Sequence, residues 1–135
     1  MTVDQYIALL RTQTESVKRA YFLAVSSTHA QVSQRIFEKG DLGGKKKYKS
    51  AGYKVKREKR GRQTGFVDLK FEGFMQNDFT NSLLKISDFK YQTGFKNAQN
   101  SRKADRHIKR YGDFFVLKNV ERNHLRKTFS DNLAR

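Results

Sequence analysis

A chain of 135 residues and 15.8 kDa is one domain's worth of polypeptide, and its 29 Lys and Arg against 13 Asp and Glu leave a net charge of +16. No apolar run approaches the roughly 18–20 residues of a membrane span, the start Met1-Thr2-Val3-Asp4-Gln5 lacks the basic and apolar regions of a secretory signal, and the absence of cysteine removes disulfides and thiolate metal sites. Eleven Phe and six Tyr supply most of the bulk for a core that a mean hydropathy of −0.84 keeps small, so part of the stability is expected to come from neighbours, other subunits or nucleic acid.

The first predicted element is a long helix over residues 1–39. Thr2 can cap it, Asp4 lies in its first turn, and Val3, Ile7, Leu10, Val17, Tyr21 and Ala24 recur at three-four spacing whose remaining places Thr14 and Thr28 fill, continued by Val32, Ile36 and Phe37 up to Gly40. Ser26-Ser27-Thr28 is weak helix material and is expected to bend or interrupt it. An amphipathic helix of this kind is expected to pack on a sheet, or along part of its stripe on another subunit.

Residues 40–65 change character. Ten Lys and Arg stand against Asp41 and Glu58, a net +8 in 26 residues and half the charge of the protein. Six glycines punctuate the segment, and Tyr48, Tyr53 and Val55 alternate with Lys, a pattern compatible with a polar two-stranded arm projecting from the body. Residues 66–135 read as the α+β body. Asp68 can cap a short helix toward Asn77 through Leu69, Glu72, Phe74 and Met75, with Phe71 beside it. Leu84-Lys85-Ile86 and Phe89 to Phe95 alternate as two strands turning at Ser87-Asp88, and Gly94 suggests a bulge. Asn97 to Arg110 is a helix stopped by Gly112. The apolar run Phe114-Phe115-Val116-Leu117 must be buried, and Asn119 caps a last helix with Glu121 in its first turn and Leu125, Phe129 and Leu133 on one face. The expected fold is α+β: a long N-terminal helix, a small antiparallel sheet with a basic projecting arm, and C-terminal helices, in one domain spanning 1–135.

The residues offer little to an enzyme. His29, His107 and His124 stand at no metal-binding spacing, and Gly40 to Lys45 lacks the spacing of a phosphate-cradling loop. The carboxylates Asp68, Glu72 and Asp78 are explained more simply by helix starts and salt bridges than by acid–base work. No catalytic, metal or cofactor site is expected. The signal is basicity. Lys45, Lys46, Lys47, Lys49, Lys54, Lys56, Arg57, Lys59, Arg60 and Arg62, with Tyr48 and Tyr53 among them, can neutralise phosphates and stack on bases. A second basic stretch holds Arg102, Lys103, Arg106, Lys109 and Arg110, then Lys118, Arg122, Arg126 and Lys127. The partner implied is a polyanion: DNA, RNA or an acidic protein face, contacted without reading sequence.

The order of Val67-Asp68-Leu69, Gly73-Phe74-Met75, Thr93-Gly94-Phe95, Tyr111-Gly112-Asp113-Phe114-Phe115-Val116-Leu117 and Asn119-Val120-Glu121-Arg122 resembles the neck and tail-completion (virion morphogenesis, head–tail joining) proteins of tailed bacteriophages. The resemblance spans roughly residues 66–135, the N-terminal helix agreeing in type. It implies an α+β fold, no catalysis, and a ring of identical subunits around the channel through which the genome passes. Leu69, Met75, Phe95, Phe114, Phe115 and Leu117 would then be core or subunit contacts. The basic arm departs from that pattern and would face DNA or a neighbouring ring. The expected function is a structural virion protein, a ring-forming head–tail connector or tail-completion adaptor assembled in the host cytoplasm with portal, adaptor or tail proteins, touching DNA independently of sequence and no membrane. The alternatives are an RNA-binding protein of a ribosome-like particle and a DNA-compacting protein.

Overall fold

Thr2 and Gln5 exchange hydrogen bonds, the Gln5 amide donating to Thr2 Oγ1 at 3.2 Å and the Thr2 amide to Gln5 Oε1 at 2.9 Å, a capping box that starts helix α1 over Val3–Ser33. The computed structural model describes residues 1–69 and 73–133. Contrary to the sequence expectation, α1 runs unbroken through Ser26-Ser27-Thr28. Thr28 donates to the Ala24 carbonyl at 2.8 Å and Ser27 meets His124 at 2.7 Å, so the hydroxyls that would compete with the helix are occupied within it or across its packed face. The helix then widens into a π turn at Gln34–Glu38. Gly40 turns the chain away with φ +64°, where a Cβ would fall on the Phe66 ring and within 2.5 Å of the Val67 carbonyl oxygen.

Beyond Gly40 the basic segment is a helix, not the two strands its Lys/Tyr alternation suggested. Ser50 caps helix α2, Ala51–Lys59, by accepting from the Tyr53 amide at 3.2 Å, and the Lys, Arg and Glu that follow are good helix formers. Helix α3 occupies Phe74–Thr80 with Gly73 at its N-cap, later than the Asp68 start read from the sequence. Leu69 has φ +58°, which no α-helix accommodates, and Asp68 is engaged by Arg57. Glu72, placed in that predicted helix, and Phe71 beside it lie outside the described residues.

Strands β1, Leu84–Ser87, and β2, Lys90–Gln92, pair antiparallel with Leu84 opposite Gln92 and Lys85 opposite Tyr91. The second strand is shorter than the alternation over Phe89 to Phe95 implied. The irregularity falls between Lys85 and Ser87, not at Gly94, whose amide donates to Ser82 Oγ at 3.0 Å. Asn97 caps α4, Ala98–Tyr111, which ends at Gly112 with φ +88°, and α5 covers Asn119–Leu133.

The chain is therefore α+β and mostly helical: a long N-terminal helix, a two-stranded antiparallel sheet and C-terminal helices. The main partner of α1 is α5 rather than the sheet, which reaches α1 through Tyr21 against Phe89 and Phe22 against Tyr91. Val32, Ile36, Phe37, Leu42, Val67, Met75, Phe79, Ala104 and Phe114 form the buried core, with Leu69, Phe95, Phe115 and Leu117 packed against it. Full burial of each of the Val, Leu, Ile, Met and Phe side chains of that core is worth roughly 1.5–3 kcal/mol. Residues 1–16 stand outside this core: each of them is exposed. At 1.5 Å per residue, the helical part of this stretch, from Val3 on, projects about 21 Å with Val3, Tyr6, Ile7 and Leu10 on view.

Candidate functional site

The two basic stretches of the sequence meet in space. Helix α2 with its leader and helix α4 form two sides of a cleft of about 550 Å³, and Val67, Leu69, Gly73, Phe74 and Met75 contribute its floor. Tyr48, Lys49, Tyr53 and Lys56 come from the first stretch, and Lys103, Arg106, His107, Arg110 and Tyr111 from α4. On α4 these residues fall at three-four spacing, which puts them on one helical face. Val67, Leu69, Phe74 and Met75 make the apolar part of the lining. Among the described residues none of the lining is acidic.

One buried ion pair sets the position of α2. Arg57 is 0% exposed, and its Nη2 donates to Asp68 Oδ1 at 2.8 Å while its Nε donates to the Gln63 carbonyl at 3.0 Å. Its guanidinium lies over the Tyr48 ring at 4.8 Å and the Tyr53 ring at 6.0 Å, and the two rings meet edge to face at 5.4 Å. Arg57 Nη1 is buried with no hydrogen-bond partner among the described residues. The Gln63 side chain donates to Asp68 Oδ2 at 2.8 Å, and the Val67 amide donates to the Lys46 carbonyl at 2.7 Å. The arm is thus fastened to the body, where the sequence suggested an unattached projection. Burial pushes the Tyr48 hydroxyl up, well out of its titrating range.

The sequence-predicted contact residues divide accordingly. Lys49 and Lys56 line the cleft. Lys45, Lys47, Lys59 and Arg60 are exposed outside it, and Lys46, Lys54 and Arg62 are half-buried. Lys45 Nζ sits over the Phe66 ring at 4.4 Å. Arg57 is the correction: read as a surface contact, it is an internal clamp, and Tyr48 is half-buried beneath it. Of the six residues that the resemblance marks as core or subunit contacts, Met75 and Phe114 are buried. Leu69, Phe95, Phe115 and Leu117 pack on the core, and Leu69 and Met75 also reach the cleft.

His107 is the site residue that composition did not single out. Half-buried, it stacks on Tyr111 at 6.1 Å. Desolvation lowers its pKa, helped by the charges of Arg106, Arg110 and Lys103. The spacing of Lys103, Arg106 and Arg110 was the signal available for it. An anion in the cleft would reverse that charge effect and favour the imidazolium.

Other chemistry has weaker geometry. Ser27 and His124 at 2.7 Å have the spacing of a nucleophile and its base, but they join α1 to α5, neither lines the cleft, and Thr128 is the other contact of that ring nitrogen. Asp78 accepts from the Lys96 and Asn97 amides at 3.0 Å each, holding the start of α4. Among the described residues no group of three His, Cys, Asp or Glu could hold a metal ion, and no helix is long and apolar enough to cross a membrane. What the arrangement can do is bind: five cations and a titratable imidazole surround apolar floor and ring surface, a combination suited to an anionic group attached to something apolar. Comparison with known proteins finds no family model, no curated protein and no solved structure that matches this chain.

Proposed function

We propose that this protein is a structural, non-enzymatic component of a tailed-phage particle, a ring-forming adaptor of the head–tail neck or tail-completion type that works by being built into an assembly. The observation that carries this reading is the exposed N-terminal part of α1. A helical stretch of about 14 residues, such as the exposed part from Val3 to Ser16, is marginal in water on its own, and Val3, Ile7 and Leu10 find little cover among the described residues, being 74%, 39% and 43% exposed. A subunit built this way completes its packing on other subunits. The resemblance of residues 66–135 to neck proteins supplies the particle type. The cationic cleft supplies a second contact, to encapsidated DNA or to an acidic neighbour in the same particle.

One observation favours a second reading, an RNA-binding protein of a ribosome-like particle: the cleft combines tyrosines with cations, the side chains that grip an unpaired strand. The mass of the purified protein separates the two. After nuclease treatment, in salt high enough to strip nucleic acid, the adaptor reading expects a defined multiple of 15.8 kDa. A monomer under every such condition, with steeply salt-dependent RNA binding, contradicts it and supports the second reading.

A further inference from the structure

The cleft between α2 and α4 has a composition more selective than positive charge alone. We infer that it receives an acidic polypeptide segment with an aromatic or aliphatic anchor residue, donated by a neighbouring protein; this rests on the assembly reading above and names the partner of that site. Charge argues first. Lys49, Lys103 and Arg106 make no ion pair with any described residue, and the described lining holds no carboxylate to neutralise them. Apolar surface argues second. Phe74 is 68% exposed at the opening while Val67 and Met75 lie buried beneath, so a ligand that carried charge alone would leave the ring and floor wet.

The same features weigh against a nucleic acid. A duplex presents phosphates at its surface and cannot carry apolar atoms to a recessed floor. An unpaired base needs a free aromatic face and partners for its hydrogen-bonding edge. Each tyrosine ring already has a neighbour on it, Arg57 over Tyr48 and Tyr53 and His107 and Arg110 against Tyr111, which leaves Phe74 as the most open ring of the lining. Val67, Leu69 and Met75 offer side chains with no hydrogen-bond donor. A side chain such as Phe or Leu flanked by carboxylates matches all of this, its apolar part on the floor and its neighbours' charges on the cationic rim.

Fluorescence anisotropy on the full chain, near 0.15 M salt so that loose charge attraction is screened, tests it with three labelled probes. These are a short peptide alternating Glu with Phe and Leu, an all-Glu peptide of equal charge, and an oligo-dT of equal charge. The anchored peptide is expected to bind about tenfold or more tighter than either of the others. Phe74→Ser and Arg106→Glu, both at exposed positions, are each expected to weaken it by about tenfold. Arg122→Glu combined with Arg126→Glu, on α5 outside the cleft, should change it by less than about threefold. Equal binding of the three probes would overturn the inference in favour of bare charge. Tightest binding of oligo-dT, weakened by Phe74→Ser, would overturn it in favour of a single nucleic acid strand. Subunit mass measured on the same samples keeps the two proposals apart. A monomer that still prefers the anchored peptide sinks the assembly reading alone, and an assembly without that preference sinks this inference alone.

Discussion

Arg35 and Arg57 are both buried against a carboxylate, and the difference between them divides the molecule. Arg35 has three partners: Nε donates to Glu121 at 2.7 Å, Nη1 to the Asp41 carbonyl at 3.0 Å and Nη2 to the Val116 carbonyl at 3.3 Å. It joins the end of α1 to the start of α5 across 86 positions of sequence, and Lys118 extends the network by donating to Asp41 Oδ2 at 2.6 Å. Arg57 reaches only 11 positions, to Asp68, and leaves one nitrogen without a described partner. The first pair closes the core and the second closes the basic arm on itself and on the core's edge. A long-range clamp is coupled to global folding, whereas a local one can open while the body stays folded.

Breaking the first clamp should therefore cost most. Glu121→Ala strands a buried guanidinium, and about 3–5 kcal/mol of stability should be lost, read as a lower urea midpoint by every probe together. Asp68→Asn keeps the shape but removes the charge facing Arg57, with a cost of about 1–3 kcal/mol. Its mark should be local: faster proteolysis within residues 45–62 while the near-ultraviolet signal of the Phe and Tyr core persists. Gly40→Ala tests the joint between the two regions. Its left-handed φ and the closeness of the Phe66 ring and the Val67 carbonyl should cost about 1–3 kcal/mol by thermal melting.

The α4 side of the cleft gives a pH signature. His107 has a pKa below the ordinary 6.5, so the unfolded chain binds the proton more readily. Stability is unaffected well above 6.5 and falls as pH drops through 6.5 toward the folded value. Melting temperature should decline over that window less steeply in His107→Gln than in the natural chain. The smallest effect on the subunit lies outside both clamps. Ile7→Ser with Leu10→Ser should shift the monomer's stability by no more than about 0.5 kcal/mol, yet abolish the multiple-subunit mass that the proposed adaptor should give in light scattering.

The same division explains what could be read from the sequence. Elements governed by local chemistry were legible: the Thr2 cap, the Asn97-to-Gly112 helix, the alternation around Leu84 and Tyr91. Tyr48, Tyr53 and Val55 misled because two-residue alternation in a Lys-rich segment fits a strand pattern, while the Ser50 cap and the run of helix formers after Tyr53 point to a helix. Asp68 misled because its partner, Arg57, lies in a different element, and a carboxylate before an apolar run looks like a cap whether or not an arginine claims it. Both walls of the site were visible as charge, in residues 45–62 and in 102–110. That they face each other needed the fold. The stripe on residues 3–10 announces an amphipathic helix but not whose surface covers it.

The central claim is that the basic segment is a preformed wall of the cleft, held there by the Arg57–Asp68 pair before any partner arrives. Hydrogen exchange of the α2 backbone amides, in the free protein and in Asp68→Asn, tests it most directly. The account predicts slowed exchange of the Tyr53-to-Lys59 amides in the natural chain and its loss in the variant, with the α1 and α5 amides unchanged. Exchange in the natural chain as fast as in an unstructured peptide would contradict it.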